Sequence, residues 1–209
     1  MGNVLNVNQD RPAPAVMEAA AEVFAAGGVV VVPTDSVYGI GCAATPGNPG
    51  LARTFAIKHR DRAQTLPWLV ADVDDLDRFG ADVPDCAHRM AAAYWPGALT
   101  LVVRASEAVP EEYRDARGTI ALRLPASELV RRLARAVGMP LAITSANTHG
   151  AAAATSGASV EPRIVDEADH VLDAGPAPLA VASTIVDVTS TPPRILREGA
   201  IPAADILSV

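Results

Sequence analysis

One lysine stands among sixteen arginines in this chain, and it lies in the densest group of basic side chains. The group comprises Arg53, Lys58, Arg60 and Arg62, with His59 between them. Arginine presents a planar fork that pairs with carboxylates and phosphates, whereas lysine presents a compact charge with three rotatable donors. Lys58 therefore suits contact with a phosphate or a reacting anion. A lysine here also fits the C-terminal end of a helix, where the helix dipole stabilises a cation.

Further polar side chains gather where predicted strands begin or end. They are Thr34, Asp35, Ser36, Arg123, Ser145, Asn147, Ser183, Thr184 and Arg197. Ligands of open α/β sheets collect outside strand ends, so these segments are candidates to meet at one cleft. Each segment taken alone also fits a turn or a helix cap.

The balance of these residues favours a site that holds anions and stabilises charge, because donors outnumber plausible bases. No histidine has metal-ligand spacing from another histidine or cysteine, so we expect no metal site built by the protein. No GxSxG motif is present to seat a nucleophilic serine. The glycine-rich loops GxGxxG and GxxxxGK[ST] are also missing from the sequence, so any nucleotide is bound without them.

The hydrophobic pattern predicts the elements that position these residues. Helices are predicted over 14–26, 49–60, 72–80, 84–95, 127–137 and 203–207. Strands are predicted over 28–34, 66–71, 99–104, 119–124, 140–144, 170–172, 184–188 and 194–196, with a loop over 148–159. Several strands follow one another without an intervening helix. This order predicts an α/β fold with a twisted, mixed parallel and antiparallel sheet flanked by helices.

Composition limits the class of protein. The 209 residues fit one domain over 1–209, half of them are hydrophobic, and the formal net charge is −7. Proteins that bind duplex nucleic acid usually present a basic surface, so for this acidic chain we expect small anions to be bound locally. The N-terminus does not read as a secretory signal and no apolar run is long enough for a membrane span, which predicts a cytoplasmic protein without a membrane partner.

The sequence resembles the YrdC/Sua5 family in the order and spacing of five separated motifs and a final segment. The motifs are PTDSVYGIG, Lys58-x-Arg60, GTIALRLP, ITSAN and STIVD, and the final segment is RILREGAI. The resemblance covers about residues 19–206 and fits the short, single-domain type without the C-terminal Sua5 extension. It implies a large concave cavity and the synthesis of L-threonylcarbamoyl-adenylate and pyrophosphate from L-threonine, bicarbonate and ATP with Mg²⁺. The product would serve modification of tRNA adenosine 37 through downstream threonylcarbamoyl-transfer proteins.

The same resemblance implies roles for individual residues. Thr34, Arg123 and Ser183 would contact threonine. Lys58 and Arg60 would be catalytic, holding phosphates and carbamate in line. The residues implied to contact ATP are Lys58, Arg60, Gln64, Thr119, Ser145, Asn147 and Arg197.

The chain departs from the family pattern in or after three of the motifs. Gln64-Thr65 stands where the family commonly has Lys or Asn followed by Pro, and Thr148-His149-Gly150 stands where the family has x-Ser-Gly. Ser36 replaces the more common Thr, and Ala153 takes the place of a serine. These changes leave three alternatives to the synthase: an RNA-binding factor in tRNA or ribosome maturation, a paralogue making another carbamoyl-adenylate, and a regulator without turnover.

Overall fold

The computed structural model describes residues 3–61 and 64–209, so Arg62 of the basic group lies outside the described residues. The strands are β1 (Asn3–Asn6), β2 (Val30–Val32), β3 (Gly39–Ala43), β4 (Trp68–Leu69), β5 (Gly80–Ala81), β6 (Leu99–Ala105), β7 (Thr119–Arg123), β8 (Leu141–Ser145), β9 (His170–Asp173), β10 (Thr184–Asp187) and β11 (Arg194–Arg197). The α-helices are α1 (Pro14–Ala25), α2 (Pro49–Lys58), α3 (Asp75–Phe79), α4 (Asp85–Tyr94), α5 (Glu128–Val137), α6 (Pro162–Glu167) and α7 (Ala203–Leu207), and short 3-10 helices cover Glu111–Tyr113 and Gly157–Ser159.

The eleven strands of the described residues form one sheet in the order β1-β9-β2-β3-β8-β4-β7-β6-β10-β11, with β5 paired to β6. The sheet contains both parallel pairs, such as β6 with β10, and antiparallel pairs, such as β6 with β7. The predicted mixed sheet flanked by helices is therefore confirmed. Chain neighbours are often not sheet neighbours, so residues far apart in sequence meet on the same face.

The sequence prediction missed β1, β3, β5 and α6. Strand β3 reads GIGCA and lacks the β-branched run that marked the other strands. Its glycines are required by the close approach of β8, because a Cβ on Gly41 would lie 1.9 Å from the carbonyl oxygen of Ala142. Strand β3 therefore forms through tertiary packing that local propensity does not report.

Helices α1 and α5 pack together on one side of the sheet and bury Phe24, Leu129 and Leu133 there. The sequence also predicts that Leu129, Val130, Leu133 and Val137 share one apolar face of this helix; the first three are buried, and Val137 is partly buried against the same core. A second core gathers Trp68, Phe79 and Tyr113 in edge-to-face ring contacts. None of the helices in the described part of the chain has the length and apolar character needed to cross a lipid bilayer.

Helix α2 brings Lys58 towards the middle of the sheet. Asn48 caps the helix, its side chain accepting from Gly50 N, and Pro49 occupies the first turn. The helix ends at Lys58 because His59 adopts a left-handed conformation with φ of 51°. It is therefore two residues shorter than predicted, and Arg60 begins a separate segment.

Candidate active site

A cavity of about 480 Å³ lies on one face of the sheet and collects most of the residues singled out in the sequence. Its wall contains Thr34, Arg60, Thr119, Arg123, Ser145, Asn147, Ser183 and Arg197. Lys58 and Gln64 are not part of the wall. The five motifs thus converge on one place, and only Lys58, which is buried, and Gln64, which is exposed, lie outside the wall among the predicted site residues.

Strand alternation explains why Thr119 and Arg123 face the cavity together. Ile120 and Leu122 of β7 point into the apolar core, so the residues on either side of them point the other way. The neighbouring β6 follows the same rule, with Leu101 in the core and Thr100 at the wall.

Arg123 is held by three protein acceptors. Its Nη2 donates to Asp35 Oδ1 at 2.6 Å, its Nη1 to Ser36 Oγ at 2.7 Å, and its Nε to the Gly97 carbonyl at 2.9 Å. Burial lowers the pKa of the Arg123 guanidinium, and the Asp35 charge opposes that shift. A guanidinium has five N–H donors, so two remain for a ligand at the wall.

Asp35 is the anionic partner of this site. Its side chain is only 7% exposed, and its Oδ2 has no hydrogen-bond partner within the described residues. The preceding Thr34 fixes the turn, since its hydroxyl donates to the Val37 carbonyl and accepts from the Ser36 amide. Asp35 itself is not part of the wall, which makes it a support for Arg123.

Ser183 and Arg197 form a second polar group across the cavity. Arg197 Nη2 donates to the Ser183 carbonyl at 2.7 Å, and the Ser183 hydroxyl lies 2.8 Å from that of Thr100. Burial lowers the pKa of Arg197, and the neighbouring charge of Arg123 lowers it further. The two arginines therefore create a positive region, and a bound anion would reduce the repulsion between their charges.

A β-bulge in β11 places two consecutive residues at the wall. Ile185 of β10 pairs with Arg197 and Val186 pairs with Ile195, which leaves Leu196 as the extra residue. A bulge changes the direction of side chains, and here both Leu196 and Arg197 line the cavity. Leu196 remains 49% exposed, so an apolar surface borders the cationic one.

Arg60 reaches the wall from the segment after α2. Its Nη1 donates to Thr144 Oγ1 at 2.9 Å, its Nη2 to the Thr65 carbonyl at 3.1 Å, and its Nε to Gln64 Oε1 at 3.0 Å. Burial lowers the pKa of Arg60. Gln64 thus acts on the site by orienting Arg60, and its predicted contact with ATP stays a prediction.

Lys58 lies behind the wall with a side chain that is 2% exposed. Its ammonium donates to the carbonyl oxygens of Ser145 and Asn147. Burial, followed by the charge of Arg60, lowers the pKa of Lys58 to about 8. Its predicted contact with a phosphate stays a prediction. Its contacts in the structure are with the backbone carbonyls of Ser145 and Asn147 and, more weakly, with the Asn147 side chain.

The loop after β8 carries two of the departures from the family pattern. Ala153, which the family resemblance places where a serine is expected, lies at the cavity wall and offers no hydroxyl there. The His149 amide donates to the Lys58 carbonyl, and Glu161 accepts from both the amide and the hydroxyl of Thr148. The loop is thereby tied to α2 and to the segment before α6.

The sequence prediction omitted several wall residues. They are Thr100, Asp115, Arg117 and Leu196. Arg117 bridges Asp115 at 3.1 Å and Asp187 at 3.0 Å beside Thr119. Arg117 could have been predicted as a site residue from its position two residues before Thr119. Leu196 could not, because it reaches the wall through a bulge for which the sequence has no pattern.

Comparison with known proteins decides the family. A family model for Sua5, YciO and YrdC proteins, described as "Telomere recombination", matches residues 22–199. The chain belongs to the Sua5/YciO/YrdC family. A Mycobacterium tuberculosis relative, provisionally named a threonylcarbamoyl-AMP synthase, is 36% identical over 184 residues that cover 88% of this chain and 84% of the relative. A Pyrococcus abyssi relative named threonylcarbamoyl-AMP synthase is 34% identical over 183 residues.

A solved structure gives the same result for the fold. The crystal structure of Pyrococcus abyssi Sua5 complexed with L-threonine superposes with a TM-score of 0.92 at 32% identity. The match covers 98% of this chain and 60% of the Sua5 chain, and the P. abyssi sequence relative is likewise spanned over 54% of its length. The matched family members therefore share the sheet that carries the cavity, and some of them extend well beyond it.

Proposed function

We propose that this member of the Sua5/YciO/YrdC family is a threonylcarbamoyl-AMP synthase, which forms L-threonylcarbamoyl-adenylate and pyrophosphate from L-threonine, bicarbonate and ATP. The observation that carries the proposal is the convergence of residues from five separated segments on one cavity with several fixed cations. The names of the relatives and the threonine complex of a similar protein support it.

Threonine is assigned to the region around Arg123. One N–H group on Nη1 and one on Nη2 are not used by the protein, and they suit the α-carboxylate because hydrogen bonds between charged groups are strong. Thr34 and Ser183 supply hydroxyl groups at the same wall, which suit the polar part of the amino acid. This set is small and buried, so it selects a compact acceptor.

ATP is assigned to the wall formed by Arg60, Thr119, Ser145, Asn147 and Arg197. Phosphate groups are recognised by arginine forks and hydroxyl groups, and the cavity offers both. The bicarbonate-derived carbamate and the triphosphate are both anions, so the arginines reduce their repulsion. Catalysis would then rest mainly on positioning and on electrostatic stabilisation.

Mg²⁺ is expected to arrive with ATP. The described residues contain no group of three or more histidine, cysteine or acidic side chains that could hold a metal ion. Mg²⁺ commonly keeps several waters and is bound by substrate phosphates with one or two carboxylates, so such a cage is not needed. Asp115 is a carboxylate at the wall that could face the ion. The ion would neutralise phosphate charge as the α-phosphorus is attacked.

The reaction has two bond-forming steps. The threonine amine attacks the carbon of bicarbonate and water leaves, which gives the carbamate. A carbamate oxygen then attacks the α-phosphorus of ATP, and pyrophosphate leaves. The product would be consumed by proteins that transfer the threonylcarbamoyl group to tRNA.

Pyrophosphate release tests the proposal. Purified protein with ATP, Mg²⁺ and bicarbonate is expected to release pyrophosphate with threonine and much less with other amino acids. Arg60→Ala and Arg197→Ala should each reduce the rate strongly, whereas Arg132→Ala, an exposed arginine of α5, is the matched control and should leave it unchanged. Release with another acceptor would indicate a paralogue, and tRNA binding without release would favour an RNA-binding factor.

A further inference from the structure

We propose that Lys58 positions the segment 145–151 of the cavity wall from behind and does not itself contact the nucleotide, a role that rests on the function proposed above. The segment 145–151 runs from the last residue of β8 into the loop that follows it. Three of its members, Ser145, Asn147 and Ala151, line the cavity.

The contacts of the ammonium group carry this assignment. Lys58 Nζ donates to the Ser145 carbonyl, to the Asn147 carbonyl at 2.6 Å, and more weakly to Asn147 Oδ1 at 3.4 Å. An ammonium has three donors, and each of them has a protein acceptor. No donor is left for a phosphate unless one of these bonds breaks.

The connection is reciprocal and continues along the segment. The Lys58 carbonyl accepts from the His149 amide at 2.9 Å, so α2 and the segment are joined in both directions. The Asn147 side-chain amide donates to the Ala151 carbonyl at 2.7 Å, which carries the link from Lys58 to a wall residue. Removal of the ammonium would therefore disturb Ser145, Asn147 and Ala151 together.

Lys58 and the neighbouring Arg60 differ in their burial and in their position relative to the cavity. Lys58 is 2% exposed and absent from the wall, whereas Arg60 lines the cavity. A lysine on a flexible stem can hold carbonyl oxygens at a single point, which a planar arginine fork does less well. This requirement gives a physical reason for the one lysine in a chain that otherwise uses arginine.

The single lysine permits a direct measurement on the unaltered protein. With ¹⁵N-lysine labelling, the protein has one side-chain ammonium signal. We expect its protons to be protected from exchange with water without nucleotide, and to change little when a non-hydrolysable ATP analogue binds. Rapid exchange in the free protein, with protection only after the analogue is added, would overturn the proposal.

A pair of variants separates positioning from direct contact. In Lys58→Met, hydrogen exchange of the amides at 148–151 should become at least tenfold faster in the free protein, and kcat/KM for ATP should fall about 10²-fold. Arg60→Met is the comparison variant, because it alters the wall without touching these backbone bonds, and its 148–151 exchange should equal that of the wild type. Wild-type exchange in Lys58→Met together with lost nucleotide binding would show direct contact.

The exchange measurements do not depend on the proposed reaction. If the wild-type protein releases no pyrophosphate with any amino acid, the proposed function fails while the exchange results still decide the role of Lys58. If Lys58→Met does not fold, the ammonium measurement on the wild-type protein decides it alone.

Discussion

The buried ion pair between Asp35 and Arg123 should be a large contributor to both stability and threonine binding. The two side chains meet at 2.6 Å and are 7% and 6% exposed, respectively. Asp35→Ala would leave the Arg123 guanidinium buried without its counter-charge. Breaking a buried pair by removing one partner destabilises a protein by about 3–5 kcal/mol. For a protein of this size that corresponds to a melting temperature lower by about 6–20 °C.

The chain provides a matched control at equal distance. Asp72 and Arg135 also meet at 2.6 Å, but their side chains are 59% and 45% exposed. An exposed pair contributes about 0–1 kcal/mol, so Asp72→Ala should change the free energy of unfolding by no more than that. Urea denaturation of both variants measures the two changes under one set of conditions. Burial alone should account for the difference between them.

The catalytic consequence is tested in the same variants. Asp35→Ala should raise the KM for threonine at least tenfold, because Arg123 loses the partner that orients it, with a smaller effect on the KM for ATP. Asp72→Ala should leave both constants unchanged. The reasoning is refuted if Asp35→Ala is no less stable than Asp72→Ala, or if its KM for threonine equals that of the wild type.

Three further outcomes follow from the titrating and apolar groups. Lys58, with Arg60 and Glu161 as its charged neighbours, should titrate near pH 8 in a ¹³C-lysine NMR experiment, and a midpoint above 10 would contradict this. Because burial lowers its pKa from 10.5, the folded protein loses this proton at a lower pH than the unfolded chain does. The free energy of unfolding should therefore increase between about pH 8 and 10.5. Leu196→Asp should raise the KM for ATP about tenfold by placing a negative charge at the wall, while changing stability by less than about 0.5 kcal/mol; an unchanged KM would remove Leu196 from the site. Burial raises the pKa of the Cys42 thiol to about 12, so a thiol reagent should label only Cys86 in the native protein, and rapid labelling of both cysteines would contradict the packing around β3.

The elements with strong local signals were predictable from the sequence. Helix α5 has a clear apolar face, and β2 and β6 are runs of β-branched and aliphatic residues, so their types and approximate positions are confirmed. Strand β3 was missed because its glycines are explained only by the close approach of β8. Edge strand β1 was missed because its sequence, Asn-Val-Leu-Asn, has little strand character by itself.

The residues of the cavity wall likewise divide into those that the sequence predicted and those that depend on tertiary structure. Motif residues such as Arg123 and Ser145 were found because their spacing resembles the family, and the sheet order then brings them together. The position of Lys58 behind the wall depends on where α2 ends and on which carbonyl groups face it, and the sequence contains neither. Leu196 depends on a bulge in β11, which shifts the side-chain alternation by one residue.

The synthesis of threonylcarbamoyl-adenylate is tested most directly by isotope incorporation. The protein is incubated with ATP, Mg²⁺, ¹³C-bicarbonate and threonine, and the adenylate fraction is examined by mass spectrometry, with serine as the comparison acceptor. The proposed function predicts a threonine-dependent adenylate that carries one ¹³C atom and appears in step with pyrophosphate. Pyrophosphate release without a labelled adenylate, or a labelled adenylate that forms more readily with serine, would contradict it.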